Sequence, residues 1–375
     1  MFKCLLIYFL LFPLITPVLI YPVDKFYADS PGIPFSFYHE NYTTDLLINT
    51  FIPYSVLLIP SSQHFLINTN IKSNTTLSYD DNYTSLLYQT TLQLSSVQIP
   101  NYLIYFVEDS IWTRDEGLSF SYPPVENYSL ILAMYKNKQI EHMQFAFHNI
   151  KDDLNSSFYI GGVPDNSHLA LPYHGVIPID ESLPSWGFYL NKVRYKEREY
   201  YVNIPTVISS GMSEMLISDE LYDLMMNDIF REFFDNQTCV EYKLQWMSYE
   251  HKSFQCKSNV MDQDIDFVFG DVTFRLTPED VFNNKYNRSN IFSNSKEPHP
   301  MHKFNGVIMG IGFINKFNYT VFDYEKKQVE FYTDQKIIVR EEKSNKVIKG
   351  IMGATMGVCV FSIIMLLLKV RGRNK

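Results

Sequence analysis

The sequence predicts an all-β globule with short helices, divided into two lobes, and three observations carry that class. The chain has 375 residues, 46% of them hydrophobic, which is enough to bury a large core in two parts. Its 27 Tyr and 29 Phe, together with many Ile, Val and Thr, suit pleated strands, and no long helical periodicity runs through the body. An apolar strand running into a turn of small residues occurs once in each half. The clearer one is Val207-Ile208-Ser209-Ser210-Gly211-Met212-Ser213-Glu214-Met215-Leu216; the weaker is Val56-Leu57-Leu58-Ile59-Pro60-Ser61-Ser62-Gln63-His64-Phe65-Leu66-Ile67.

Both ends read as membrane-related. Residues 1–20 carry Lys3 and then the apolar run Leu5 to Phe12, the pattern of a secretory signal peptide, with an uncleaved anchor as the competing reading. Residues 350–368 form a charge-free apolar stretch about as long as the ~20 residues a bilayer-spanning helix needs. Lys369, Arg371, Arg373 and Lys375 follow in a short tail, 369–375, and such a cluster stays on the cytoplasmic side. The expectation is a single-pass type I membrane protein of the secretory pathway or cell surface, its body lumenal or extracellular. A glycolipid-anchor tail is the alternative, against which the basic end argues.

Eight N-x-S/T acceptors agree with that compartment: Asn41, Asn74, Asn82, Asn127, Asn155, Asn236, Asn287 and Asn318. Of the four cysteines, Cys4 falls in the signal and Cys359 in the apolar stretch, which leaves Cys239 and Cys256 to form a disulfide. The net charge of -9 without clustered Lys and Arg in the body excludes a general nucleic-acid binder.

Between the ends, residues 21–48 read as a lead-in rich in aromatic and polar residues and interrupted by Pro22, Pro31 and Pro34, too irregular for a helix. An N-terminal β lobe is expected over 49–165, with a turn at Ser78 to Asn82, a strand at Leu86 to Leu94 and a short helix at Ser129 to Asn137. Strands are expected at Gln144 to His148 and at Phe158 to Gly162, where glycines stop the second. A C-terminal β lobe follows over 166–335. Trp186 to Val193 and Tyr200 to Ile204 read as a hairpin on a charged turn. Asp219 to Phe234 reads as the best helix of the body, with Ser218 as N-cap and Leu221, Leu224, Met225, Ile229 and Phe233 on one face. Strands resume at Ile265 to Leu276 and Val307 to Tyr332. Residues 336–349 read as a charged stalk.

The order of short motifs along this body resembles the pepsin-like aspartic proteases. Asp115-Glu116-Gly117-Leu118-Ser119-Phe120-Ser121-Tyr122-Pro123 is similar to the family's D-G-I-L-G-L-x-Y-P segment. Ser157 to Val163 resembles the strand ending in F-G-G, and Val176-Ile177-Pro178-Ile179 with Trp186-Gly187-Phe188-Tyr189-Leu190 resembles the pattern that follows it. Asp266 to Asp280 looks like the second-lobe hairpin and proline turn. Ile308-Met309-Gly310 and Tyr319-Thr320-Val321-Phe322-Asp323 resemble the closing block, without the aspartate expected after the glycine.

The resemblance implies two β lobes around a cleft, and a carboxylate from each lobe in a D-T/S-G-S/T turn, the pair sharing a proton. On this register Ser209 stands at the second position and Leu58 at the first. Neither ionises near neutral pH without a base, so the dyad is expected to be missing and no catalytic residue is assigned. Ser61, Ser62, Gly211 and Ser213 would line the cleft. Tyr79, or Tyr83 nearly as well, would stand for the flap tyrosine. His299 and His302 in a proline-rich loop lack further ligands, and neither metal nor cofactor is expected.

The function expected is a membrane-anchored homologue without peptidase activity that binds a peptide or protein partner through its cleft or surface. Two alternatives stay open. One is an active aspartic endopeptidase, should the register at Leu58 or Ser209 be wrong; the other is a glycosylated structural surface protein.

Overall fold

The computed structural model describes residues 19–22, 24–26, 30–37, 43–50, 56–59, 70–73, 85–94, 97–108, 117–126, 128–148, 156–212, 215–246, 249–257, 263–283, 288–294 and 304–340. The span expected to be a signal peptide, up to residue 18, the turn expected at 78–82 and the apolar stretch at 350–368 lie outside them. Among the described residues no helix is long and apolar enough to cross a membrane.

The described residues form four sheets. A six-stranded sheet joins the halves, in the order Leu19–Pro22, Ser157–Ile160, Gln144–His148, Tyr319–Asp323, Gln328–Thr333, Tyr173–Pro178. An eight-stranded sheet forms the first lobe, with Val56–Ile59, Val97–Glu108, Ser85–Leu94, Ser30–Phe37, Thr43–Asn49 and Leu118–Ser119 along its path. A second eight-stranded sheet, centred on the hairpin Gly187–Tyr195 and Arg198–Ile208, forms the other lobe. A small four-stranded sheet flanks it, led by the hairpin Cys239–Trp246 and Tyr249–Cys256, in which Cys239 and Cys256 face each other and are disulfide-bonded.

Alternation decides which residues face the core. On the joining sheet Phe145, Phe147, Phe158, Phe322 and Phe331 point to one face and are buried, with Phe145 and Phe322 stacked at 4.5 Å between ring centroids. Trp186 packs against Phe145 and Phe322, and its indole N–H donates to the Phe120 carbonyl at 2.7 Å, so this tryptophan is a core residue with its one polar atom satisfied.

Several expected boundaries move. The segment expected as a lead-in holds strands Asp24–Phe26, Ser30–Phe37 and Thr43–Asn49 of the first-lobe sheet. Its prolines fit because each has a strand on one side only: Pro31 is registered with Lys25 and Pro34 with Asp45. The strand Leu19–Pro22 begins inside the span expected to be the signal peptide and pairs with Ser157–Ile160. At the other end Ile338–Arg340, expected as stalk, pairs with Val272–Phe274 and belongs to the second lobe.

The best-marked helix is broken. Ser218 caps it, accepting from the Leu221 N–H at 3.3 Å, but the α-helix Asp219–Leu224 passes into a π-turn, Met225–Ile229, before a last helix Arg231–Asp235. The Phe230 N–H reaches the Met225 carbonyl at 2.8 Å, and this one-residue excess rotates the end of the helix. Leu221, Met225, Ile229 and Phe230 are buried by it. The short helix Leu130–Lys136 forms as expected, with Ser129 as N-cap. Gly161 and Gly162 end their strand at φ +97 and +124, angles that favour glycine.

Candidate functional site

The two lobes meet at two short turns. In the second lobe the strand Arg198–Ile208 runs out into Ser209, Ser210 and Gly211; in the first, Thr43–Asn49 runs out into Thr50. Both strands are held in the same way, by a parallel neighbour. Ile48 is registered with Leu118 and Asn49 with Ser119, while Val207 is registered with Ile308 and Ile208 with Met309. Thus Gly117-Leu118-Ser119 and Ile308-Met309-Gly310, apolar strands with a glycine at one end, support the two turns in equivalent fashion.

Thr50 and Ser210 interlock reciprocally across the lobes. The Thr50 N–H donates to Ser210 Oγ at 3.2 Å, and the Ser210 N–H donates to Thr50 Oγ1 at 2.9 Å. Each hydroxyl then donates to the carbonyl two residues before its partner: Thr50 to Ile208 at 3.0 Å, and Ser210 to Ile48. Ser185 adds a hydrogen bond to the Thr50 carbonyl. Thr50, Ser209 and Ser210 are all fully buried, so four polar backbone groups that could not reach water are paired by two side-chain hydroxyls.

This relationship differs from the expected one. The sequence reading set Leu58 opposite Ser209, but the strand Val56–Ile59 runs parallel to Val97–Glu108, with Leu58 registered with Val107, and the described hydrogen bonds from the Ser209 turn to the first lobe go to Thr50 and Ile48. A signal for Thr50 was present. Each turn needs a hydroxyl to reach the other turn's backbone, and Asn49-Thr50 supplies one where Leu58-Ile59 has none.

The residues just before the two hydroxyls are Asn49 and Ser209. The Ser209 N–H donates to the Met309 carbonyl at 2.9 Å, while its Oγ has no hydrogen-bond partner among the described residues. Met212, Leu216, Phe292 and Ile308 pack into an apolar cluster beside it. Among the described residues, no carboxylate hydrogen-bonds to Thr50, Ser209 or Ser210.

Gly211 lies buried in the turn, whereas Ser61, Ser62, Tyr79 and Ser213 lie outside the described residues. So do His299 and His302, and the described residues hold no group of three or more His, Cys, Asp or Glu able to bind a metal. Of the acceptor asparagines, Asn236 is exposed at a helix end and Asn318 is partly exposed, its Oδ1 accepting from the Asp334 N–H at 3.1 Å; Asn41, Asn74, Asn82, Asn127, Asn155 and Asn287 fall outside the described residues. Asp323 is buried and caps its own turn, accepting from the Lys326 N–H at 2.8 Å and from Gln144 Nε2 at 2.6 Å, far from any catalytic geometry.

A family profile described as eukaryotic aspartyl protease matches residues 68–333, more than half of the chain. The match includes the Ser209 turn and begins after Thr50. Among solved structures, a crystal structure of an aspartic proteinase from Irpex lacteus is similar, with a TM-score of 0.57 and 14% identity over 84% of this chain and 97% of that one. At that identity the likeness is one of fold. No curated protein matches the chain by sequence.

Proposed function

Because the chain belongs to the eukaryotic aspartyl protease family, we propose that it is a member without peptidase activity, tethered to a membrane, that binds a peptide or protein partner in the cleft between its lobes. The observation that carries this reading is the Thr50–Ser210 interlock. In the D-T/S-G turn the carboxylate stands immediately before the hydroxyl residue. By that rule the two reacting positions are Asn49 and Ser209, and Leu58 is not one of them.

An amide cannot exchange a proton near neutral pH, and a serine hydroxyl with no base beside it stays neutral. A pair that must share one proton, activate a water and protonate a carbonyl therefore has no members here. The scaffold around the missing pair is kept: both hydroxyls of the interlock, both supporting parallel strands and Gly211. Polar, uncharged groups at the centre of a cleft can still hydrogen-bond a peptide backbone without cleaving it.

Membrane attachment rests on the charge-free run at residues 350–368 with its basic flank, and a lumenal or extracellular body on the eight acceptor asparagines, two of which, Asn236 and Asn318, have at least partial solvent access. Incubating the purified protein with a denatured protein substrate at acidic pH tests the first part: the outcome expected is no cleavage that an aspartic-protease inhibitor suppresses. Peptide capture from a random library by the wild-type protein tests the second, and failure to enrich any sequence would remove the binding role.

A further inference from the structure

The second face of the six-stranded joining sheet is unlike its first. Where one face is a phenylalanine core, the other carries a row of ring side chains across four strands: His148, Tyr319, Tyr332 and His174, registered in that order. His148 stacks on Tyr319 at 4.2 Å and 7°, and His174 on Tyr332 at 5.7 Å and 12°. In the next row lie Tyr159, Ala146, Val321 and Glu330. Tyr159, Tyr319 and Tyr332 are buried, and they form an apolar cluster with Ala146 and Val321.

Part of the cover is the 3-10 helix Pro164–Ala170, flanked by Val163 and Leu171, which pack on the cluster. His168 is buried, at 9% exposure, while Leu169 beside it is 62% exposed. The His168 ring stands edge-on to Tyr332 at 4.6 Å and lies 6.0 Å from Tyr319. Its Nδ1 has no hydrogen-bond partner among the described residues. One further hydrogen bond ties the helix down, between Ser167 Oγ and Tyr319 Oη at 3.0 Å, and Val163 gives the helix no side-chain cap. The helix is thus held on the sheet by the His168 ring, by the Ser167–Tyr319 hydrogen bond and by the packing of Val163 and Leu171.

We propose that protonation of His168, with His148 on the same face, releases the helix Pro164–Ala170 and opens the tyrosine face of the joining sheet in acidic compartments. The groups around both rings decide the sign. His168 faces Tyr332 and Glu330 of one strand, Tyr319 of the next, and Lys326 of the turn; His148 faces Tyr319 and Tyr159, whose hydroxyl lies 2.9 Å from its Nδ1. Burial opposes a charge on either ring and lowers the proton affinity of both. For His168 the Glu330 carboxylate works the other way and Lys326 works with burial; burial is the largest effect. A released helix returns His168 to water, where it binds a proton at the ordinary histidine value of about 6.5. The closed form is therefore fully favoured above that value and loses its advantage as the pH falls below it.

Hydrogen exchange of the full-length chain, compared at about pH 7.5 and about pH 5 on either side of that value and corrected for intrinsic rates, reads the opening directly. The expected result is a severalfold faster exchange confined to Val163–Leu171 at the acidic pH. H168F keeps a ring against Tyr332 without a titrating nitrogen, and should remain protected at both. Should H168F not fold, E330Q decides: removing the carboxylate that favours a proton on the buried ring lowers the proton affinity of the closed form alone, so the acid-driven opening becomes larger. Protection of Val163–Leu171 that does not change with pH in the wild type, the same change in H168F as in the wild type, or an acid-driven opening that E330Q reduces or leaves unchanged, would each overturn the proposal.

Discussion

Thr50 and Ser210, 160 residues apart in sequence, bind each other's backbone through their own side-chain hydroxyls and so tie the first lobe to the second. The exchange is symmetric down to the carbonyls that accept from the two hydroxyls, Ile208 and Ile48. Asn49 and Ser209 immediately precede the two hydroxyl residues, and no described carboxylate takes part in the exchange.

Replacing Thr50 by Val keeps the shape and removes the hydroxyl. The buried Ser210 N–H and Ile208 carbonyl then lose their partners, each at a cost of about 1–3 kcal/mol. The expectation for denaturant unfolding is that T50V is destabilised by several times as much as T50S, which retains the oxygen. Equal stability of the two variants would mean that the interlock contributes little.

Much of the fold was legible in the chain. The Ser218 cap, the hairpin on Lys196 and the glycine stop at Gly161 follow from local chemistry, and the structure has all three. The partner of Ser209 was not legible from apolar patterning, because Val56 to Ile59 and Leu46 to Ile48 are both apolar runs ending in a polar turn. What separates them is long-range: only the hydroxyl of Thr50 can satisfy the backbone of Ser210. The π-turn at Met225 escaped for a similar reason, since one extra residue in a helix leaves the apolar spacing readable while shifting where it points.

The Cys239–Cys256 bridge closes a hairpin of 17 residues' separation. On the chain-entropy estimate its removal costs about 3 kcal/mol. C239S/C256S should accordingly unfold at lower denaturant than the wild type under oxidising conditions, and the difference should vanish when both are reduced. A wild-type midpoint insensitive to reductant would contradict this.

His148 makes overall stability depend on pH. Its folded-state proton affinity is lowered by burial, so the unfolded chain takes up the proton first. The stability it contributes is complete above about pH 6.5 and declines as the pH drops through the lowered folded-state value. H148F keeps the stack on Tyr319 and should flatten that decline; thermal unfolding at a series of pH values measures it.

The central claim is that Asn49 and Ser209 occupy the two positions where this family's reaction needs carboxylates. Calorimetric titration with pepstatin at acidic pH addresses it most directly, comparing the wild type with N49D/S209D. The account predicts no measurable binding to the wild type and binding to the double variant, while L58D/S209D stays silent. Binding to the wild type, or restoration by L58D/S209D in place of N49D/S209D, would contradict it.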